Sequence, residues 1–302
     1  MTSEAAMAGE ARHAFARLWH GSTGPVLIII AAILLIWYAA AVWLNAPMLR
    51  ITAPQITGAD LLWASWRADR PLLPAPHQVL AELWRTVIET SITSKRSLVY
   101  HSWVTISSAL LGFAIGALLG VLLAVAIVHV KSLEKSLLPW IIASQTVPIL
   151  AVAPIIIVAL GSLGLVGLLP KSIISAYLCF FPVTIGMVKG LTSPDPMQLD
   201  LMRTYNAGLW QTFWKLRWPS SVPFLFASFK VAIAIALVGA IVGELPTGAQ
   251  AGLGARLLAG SYYGQTIQIW AALFAAAALA ALMVAIFGVT ERFTLRHMGV
   301  QQ

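Results

Sequence analysis

The sequence predicts an all-α membrane protein with six transmembrane helices, and three observations point to this class. Hydrophobic residues make up 59% of the 302 residues and charged residues only 10%, whereas a soluble domain carries about 25% charged residues. Long runs without Asp, Glu, Lys or Arg recur along the chain. The single cysteine, Cys179, excludes a disulfide framework and a cysteine-based metal site. A soluble globule and a disordered chain are therefore both excluded.

Six stretches are long and apolar enough to cross a bilayer as helices, which takes about 20 residues. The fourth is at the short limit, and we allow it to begin as early as Leu165. Within the first stretch, Ala39 to Ala41 resemble the cleavage site of a signal peptide. Its apolar region is longer than the roughly 7–15 residues usual in a signal peptide, which favours an uncleaved span. The predicted spans are 25–44, 104–130, 138–160, 172–188, 222–243 and 268–289.

The distribution of Lys and Arg predicts that both termini are cytoplasmic. Cations concentrate in short cytoplasmic loops, and with an inner N-terminus the short outer loops hold only Lys171 and Arg256. The net charge of +8 is then expected at the membrane ends, beside lipid, rather than on nucleic acid. The cations assigned to the inner segments are Arg12, Arg17, Lys131, Lys135, Lys189, Arg203, Lys215, Arg217, Arg292 and Arg296.

The segment between the first two spans is predicted to lie outside and to cap the membrane interface rather than form a binding domain. Its five prolines exclude one continuous helix, although residues 77–91 are predicted to form a short amphipathic helix. The predicted divisions are a cytoplasmic tail at 1–24, the first span at 25–44, the extracytoplasmic segment at 45–103, a five-helix core at 104–290 with a cytoplasmic loop at 190–219, and a cytoplasmic tail at 291–302.

Polar and prolyl residues in or beside the spans are candidates for a solute pathway. Pro148 and Pro154 interrupt the third span, and irregular backbone at membrane depth is tolerated where it is buried or lines a wet cavity. The three polar residues before Pro148 fit a structural hydrogen-bonding role as well as a solute role. Glu244, at the outer end of the fifth span, has three open roles: a gate, an ion pair with a cation such as Arg256, or contact with water. The candidate pathway residues are Ser144, Gln145, Thr146, Pro148 and Glu244.

Two other features of the spans are interpreted as structural. Gly112, Gly116 and Gly120 recur every four residues, which lets a neighbouring helix approach one face closely. Lys230 lies about two turns from the inner end of the fifth span and is expected to extend to the cytoplasmic headgroups.

The sequence lacks the motifs of catalysis and of nucleotide binding. HExxH, CxxC and GxSxG are missing, and Pro170 precedes Lys171 where a phosphate loop needs Gly. We therefore expect a chain that is not an enzyme on its own and has neither a metal site nor a cofactor.

The loop before the last two spans reads DLMRTYNAGLWQTFWKLRWP over residues 200–219. This stretch resembles the EAA loop of permease subunits of bacterial ABC importers, whose pattern is E-A-A-x-x-x-G-x9-I-x-L-P. Asp200 falls at the Glu position, Asn206 at the Gly and Pro219 at the last Pro. The resemblance extends over roughly residues 77–298 and is closest to permeases for nitrate, sulfonates, taurine and pyrimidine-type vitamin precursors.

Two departures from this pattern preserve its geometry. Asn is the next best residue after Gly in the left-handed conformation, so Asn206 is expected to keep the turn, with Gly208 as a second flexible point. Asp200 keeps the charge of Glu on a shorter side chain. The loop is therefore predicted to form a helix, a turn and a second helix.

The aromatic content of this loop favours a protein partner, because large apolar side chains exposed together usually mark an interaction site. The resemblance implies that the loop docks into a groove of the ATPase subunit, with Phe213 and Trp214 as anchors and Arg203 supplying charge. An amphipathic helix on the inner headgroups is the alternative. The residues assigned to ATPase coupling are Asp200, Arg203, Thr204, Asn206, Gly208, Gln211, Phe213, Trp214 and Pro219.

The resemblance implies the type I ABC importer permease fold in a bacterial inner membrane. It also implies two permease chains, expected to form a homodimer, an ATP-binding cassette ATPase subunit and an extracytoplasmic solute-binding protein. A pyrimidine-type vitamin precursor or riboflavin is the expected solute, with nitrate and sulfonates still open. A stand-alone secondary transporter is the alternative, although no convincing sequence repeat relates the two halves of the chain. An integral membrane enzyme is a less favoured alternative, because the sequence lacks converging catalytic side chains.

Overall fold

The computed structural model describes residues 23–246 and 249–299, and the predicted all-α class is confirmed because these residues form helices and no strand. The predicted tail at 1–24 lies almost wholly outside the described residues, as does the very end of the tail at 291–302. The helices are α1 (Thr23–Thr52), α2 (Gly58–Arg67), α3 (Pro76–Trp84), α4 (Leu98–His129), α5 (Lys131–Ser144), α6 (Ile149–Ser162), α7 (Leu168–Leu191), α8 (Pro196–Thr204), α9 (Leu209–Thr212), α10 (Trp218–Glu244), α11 (Leu253–Tyr262) and α12 (Thr266–His297), with π-helical turns at Arg85–Glu89 and Phe213–Arg217.

Five helical segments among the described residues are long and apolar enough to cross a membrane, and they coincide with five of the six predicted spans. Each of these segments is longer than its predicted span. For example, α7 begins at Leu168, between the two starts considered for the fourth span. Helix α12 runs to His297, so the predicted C-terminal tail begins inside a helix.

The third span is broken at Pro148, one of the two prolines predicted to interrupt it, whereas Pro154 lies within α6. Helices α5 and α6 meet at an angle of 97° across a short break. Pro148 causes the break, because it lacks the N–H that a helix needs and disfavours helical backbone at the residue before it. The Tyr177 hydroxyl of α7 donates to the Ser144 carbonyl at the end of α5, which fixes this end of the break.

The chain divides into two compact units, one reaching from the N-terminal side to Trp84 and including Gly264–Ala271, the other containing the rest. In the first unit, the buried side chain of Asn45 on α1 organises the predicted cap. Its amide donates to the carbonyls of Ser65 (3.1 Å) and Leu73 (2.9 Å), and its oxygen accepts from the N–H groups of Leu72 (2.7 Å) and Leu73 (3.2 Å). The segment after α1 is therefore fastened to α1 by four hydrogen bonds of one buried side chain.

In the second unit, α4, α7 and α10 pack together around the core. The glycine row of α4 faces α7, as predicted: a Cβ added at Gly116 would lie 2.3 Å from Cys179 Sγ and 2.8 Å from the Ala176 carbonyl oxygen. Such distances are below van der Waals contact, so only glycine permits this approach of the two backbones.

The Lys230 side chain forms an ion pair with α12, and its extension to the cytoplasmic headgroups stays a prediction. Its Nζ lies 2.7 Å from Glu291 Oε2 of α12. Because a charge inside a membrane protein is costly unless it is paired, this ion pair stabilises both side chains.

Candidate functional site

The loop between α7 and α10 forms two short helices joined by a turn. Asp195 begins α8, where its Oδ1 accepts from the Met197 N–H at 2.7 Å. Asn206 has a φ of +52°, so the expectation of a left-handed turn at this residue is confirmed. Gly208 has extended backbone, with a φ of −68° and a ψ of 168°, and therefore does not supply a second left-handed residue.

The polar residues assigned to coupling make mostly local contacts. Arg203 Nη1 lies 3.0 Å from Asp200 Oδ1, and both side chains are largely exposed, so this pair contributes little stability. The Thr204 hydroxyl donates to the Asp200 carbonyl at 2.9 Å, and Gln211 Oε1 accepts from the Gly208 N–H at 3.1 Å. These contacts define the shape of the loop. Pro219 lies in the first turn of α10, where a proline is well tolerated.

Phe213 belongs to the protein core, and its assignment as an anchor for a partner is wrong. Its side chain is only 7% exposed and packs 5.5 Å, ring centre to ring centre, from His129 at the end of α4. Trp214 remains partly exposed. The most exposed aromatic side chains of the loop are instead Tyr205, at 78%, and Trp210, at 72%. The π-helical turn at Phe213–Arg217 turns Phe213 inward, which a helical pattern alone does not reveal.

The candidate pathway residues of the third span lie at the break between α5 and α6. The hydroxyls of Ser144 and Thr146 donate to carbonyls one turn earlier, at 2.7 and 2.8 Å. Gln145 Nε2 donates to Ser144 Oγ at 3.2 Å, and Pro148 precedes the first residue of α6. Each of the three polar side chains therefore donates to a nearby group of α5, as a structural role requires.

Glu244 is fully buried, and its contacts lie with α4, α7 and the first turn of α11. Both carboxylate oxygens accept from the Thr105 hydroxyl at 3.0 Å, and Oε2 accepts from the Gly254 N–H at 2.9 Å. Lys171 Nζ lies 3.8 Å from Oε1. Of the three roles considered for Glu244, the ion pair is therefore the one observed, and its burial excludes contact with water.

The start of α11 is held by side chains of other elements. The first N–H groups of a helix have no partners inside the helix, and here three successive ones donate to side chains. The Gly252 N–H donates to His101 Nδ1 at 3.0 Å, and the Leu253 N–H donates to Thr105 Oγ1 at 2.8 Å. The Gly254 N–H donates to Glu244. Because His101 Nδ1 accepts, its proton lies on Nε2, which donates to the Lys95 carbonyl at 2.9 Å. One network thus connects α4, α10 and α11.

Sequence analysis missed Thr105, Lys171 and His101 because their partners lie far away along the chain. One signal was present: Glu244 is followed by Gly252 and Gly254. Gly252 has a φ of +123°, and a Cβ there would lie 2.1 Å from the Glu244 carboxylate carbon. Glycine is needed at position 252 because the backbone has a positive φ and because a side chain would collide with Glu244.

The helices define a multi-pass membrane protein that carries an exposed aromatic loop. Residues 116–296 match the family described as the inner membrane component of binding-protein-dependent transport systems. The chain belongs to this family, which confirms the resemblance to type I ABC importer permeases.

Three relatives place the chain more closely within the family. It is 30% identical over 243 residues to the riboflavin transport system permease protein RibX of Chloroflexus aurantiacus, covering 78% of this chain and 87% of that protein. It is 32% identical over 183 residues to the formylaminopyrimidine transport permease protein ThiX of Halalkalibacterium halodurans, covering 61% and 68%. The nitrate import permease protein NrtB of Synechocystis is 22% identical over 180 residues, covering 58% and 64%. The chain is thus similar to permeases for small solutes of different charge.

Proposed function

We propose that this chain forms the translocation pathway of an ATP-driven importer in a bacterial inner membrane, with both termini cytoplasmic. It acts as a homodimer with ATP-binding cassette ATPase subunits and receives its solute from an extracytoplasmic binding protein. The observation that carries this proposal is the pair of exposed aromatic side chains, Tyr205 and Trp210, on a loop with a defined helix-turn-helix shape.

The contacts of this loop supply a route from an ATPase to the spans. Arg217 Nη1 donates to the Leu191 carbonyl at the end of α7 at 3.0 Å, and Phe213 packs against the end of α4. Closure of an ATPase dimer that pulls on Tyr205 and Trp210 therefore moves α4, α7 and α10 together. Alternating access follows if ATP binds more tightly to the state in which the loops are close together.

The proposed solute is a pyrimidine-type vitamin precursor or riboflavin, with nitrate and sulfonates as the alternative. The similarity to a riboflavin permease and to a formylaminopyrimidine permease supports the first class. The nitrate permease is less similar to this chain in both identity and coverage.

Co-purification with its ATPase subunit tests the docking surface. Tyr205→Ala with Trp210→Ala should weaken retention of the ATPase about thirtyfold, since a buried aromatic anchor contributes on the order of 2 kcal/mol. The matched control is Trp140→Ala with Tyr262→Ala, which removes equally exposed aromatic side chains outside the loop. Phe213→Ala should instead lower the thermal stability of the permease itself. Equal ATPase retention by the two double variants would contradict the docking assignment and favour a helix on the headgroups.

A further inference from the structure

A cavity of about 430 Å³ lies beside the buried Glu244 network, between the start of α7 and the end of α10. Its described walls are mainly aliphatic, with Ile157, Val166 and Pro170 among them. Lys171 and Gln250 add polar side chains. A concave, mostly apolar site with a few converging polar groups is the usual form of a small-molecule site.

Lys171 is the side chain that connects this cavity to the network. Its ammonium group donates to the Ala251 carbonyl at 3.2 Å and faces Glu244 Oε1 at 3.8 Å. An ammonium group has three N–H donors, and the side chain is 13% exposed while also lining the cavity. One donor is therefore available to a molecule in the cavity, but the positive charge is already balanced by Glu244.

We propose that this cavity is a contact site for a neutral, flat heteroaromatic solute, which accepts a hydrogen bond from Lys171 through a carbonyl oxygen or ring nitrogen. Glu244 acts as a positioning residue that holds Lys171 and cancels its charge. The proposal rests on the proposed function, because it names the class of solute that passes this end of the spans.

The charge balance disfavours an anion in this cavity. A nitrate or sulfonate ion would exchange its hydration for aliphatic walls, which is costly unless a cation compensates it. The Lys171 charge is already compensated, and the Glu244 carboxylate repels a second negative charge. A neutral ring instead gains from the same aliphatic walls through burial of its faces.

Cysteine labelling tests the site without an ATPase or ATP. The sole cysteine of the chain, Cys179, is fully buried, so a water-soluble methanethiosulfonate reagent should react selectively with Gln250→Cys at the cavity wall. Labelling rates of the full-length protein are measured with riboflavin or cytosine, and with nitrate or methanesulfonate. Ser162→Cys, exposed and not among the described lining residues, is the control.

Riboflavin or cytosine should slow labelling of Gln250→Cys at least about fivefold at saturation, without slowing Ser162→Cys, and the anions should protect neither. Two variants in the Gln250→Cys background isolate the hydrogen bond. Lys171→Gln with Glu244→Gln keeps a neutral donor and should keep the protection. Lys171→Leu with Glu244→Gln should raise the protecting concentration about fivefold, the effect of one lost hydrogen bond.

Protection by nitrate or methanesulfonate equal to that by the neutral solutes would overturn the proposal, as would the lack of any protection at Gln250→Cys. Equal protection of the Leu and Gln double variants would overturn the role of Lys171. If a double variant does not yield monodisperse protein, the comparison of neutral with anionic solutes decides alone. The labelling experiment does not involve the ATPase. If it contradicts the cavity proposal while ATP-driven uptake is observed, the proposed function is therefore still supported.

Discussion

A buried carboxylate is costly in a membrane protein unless other groups compensate it, and Glu244 is compensated from several directions. The Thr105 hydroxyl, the Gly254 N–H and the Lys171 ammonium all face it. Thr105 has a second role, because its oxygen also accepts from the N–H of Leu253 at 2.8 Å. The loss of this carboxylate therefore removes a partner from three groups at once, the Gly254 N–H, the Thr105 hydroxyl and the Lys171 ammonium.

Replacement of Glu244 should destabilise the protein in a graded way. Glu244→Ala should cost about 3 kcal/mol, the usual cost of breaking a buried ion pair, while Glu244→Gln should cost less because its amide oxygen still accepts from Gly254. Thermal unfolding of the purified chain measures both effects, with the exposed Glu134→Ala as the control. A Glu244→Ala protein as stable as the Glu134→Ala protein would show that the network contributes nothing to stability.

Residues differ in how far the sequence predicts their roles. The left-handed backbone at Asn206 was predictable because it depends on the residue type and its immediate neighbours. The partner of Glu244 was not, because Thr105 lies 139 positions away and no local pattern connects the two. Phe213 was misassigned because an aromatic side chain in a loop suits a core and an interface equally well. Local conformation is thus predictable here, whereas burial depends on tertiary packing.

At the level of elements, hydropathy located the spans, and the prolines marked an interruption of the third one, but neither gave the angle of the break. The apolar pattern continues through Pro148, although the backbone there turns by 97°. The contact between α4 and α7 was predictable, since a four-residue glycine repeat has few uses other than close helix packing. Gly120 follows the same rule as Gly116, because a Cβ there would lie 2.8 Å from the Phe180 carbonyl oxygen.

Gly116→Leu should separate α4 from α7 and reduce the yield of monodisperse protein. Forcing a large side chain into a packed contact costs about 2 kcal/mol, and here the nearest atoms include backbone that cannot move aside. Size-exclusion chromatography and thermal unfolding in detergent measure the effect. Gly288→Leu on α12 is the matched control, because a Cβ there meets no atom within 4 Å. Equal behaviour of the two variants would mean that the α4–α7 contact does not require glycine.

At the scale of the whole molecule, α10 carries two charges that are each paired with another helix. Lys230 pairs with Glu291 of α12 and Glu244 with Lys171 of α7. At 1.5 Å per residue the two charges lie about 20 Å apart along the helix. Helix α10 is therefore fastened electrostatically at its middle and at its C-terminal end, while its N-terminal end continues into the exposed loop. This arrangement suits a helix that transmits displacement from the loop through the core.

The distribution of cations also predicts an orientation for the entire chain. A reporter that fluoresces only in the cytoplasm should give signal when fused to Gln302, because the segments rich in Lys and Arg remain inside. The same reporter fused within the outer loops, after Ser162, should stay dark. A stably expressed but dark fusion at Gln302 would reverse the assigned orientation and remove the exposed loop from the side where ATP is hydrolysed.

Solute uptake into proteoliposomes tests the central claim most directly. The permease is reconstituted with its ATPase subunit and solute-binding protein, with ATP supplied on the side of the Tyr205–Trp210 loop. The proposed function predicts uptake that requires both partners and ATP, and that is lost in Tyr205→Ala with Trp210→Ala. Uptake by the permease alone, driven by an ion gradient and unaffected by ATP, would contradict it and identify a stand-alone secondary transporter.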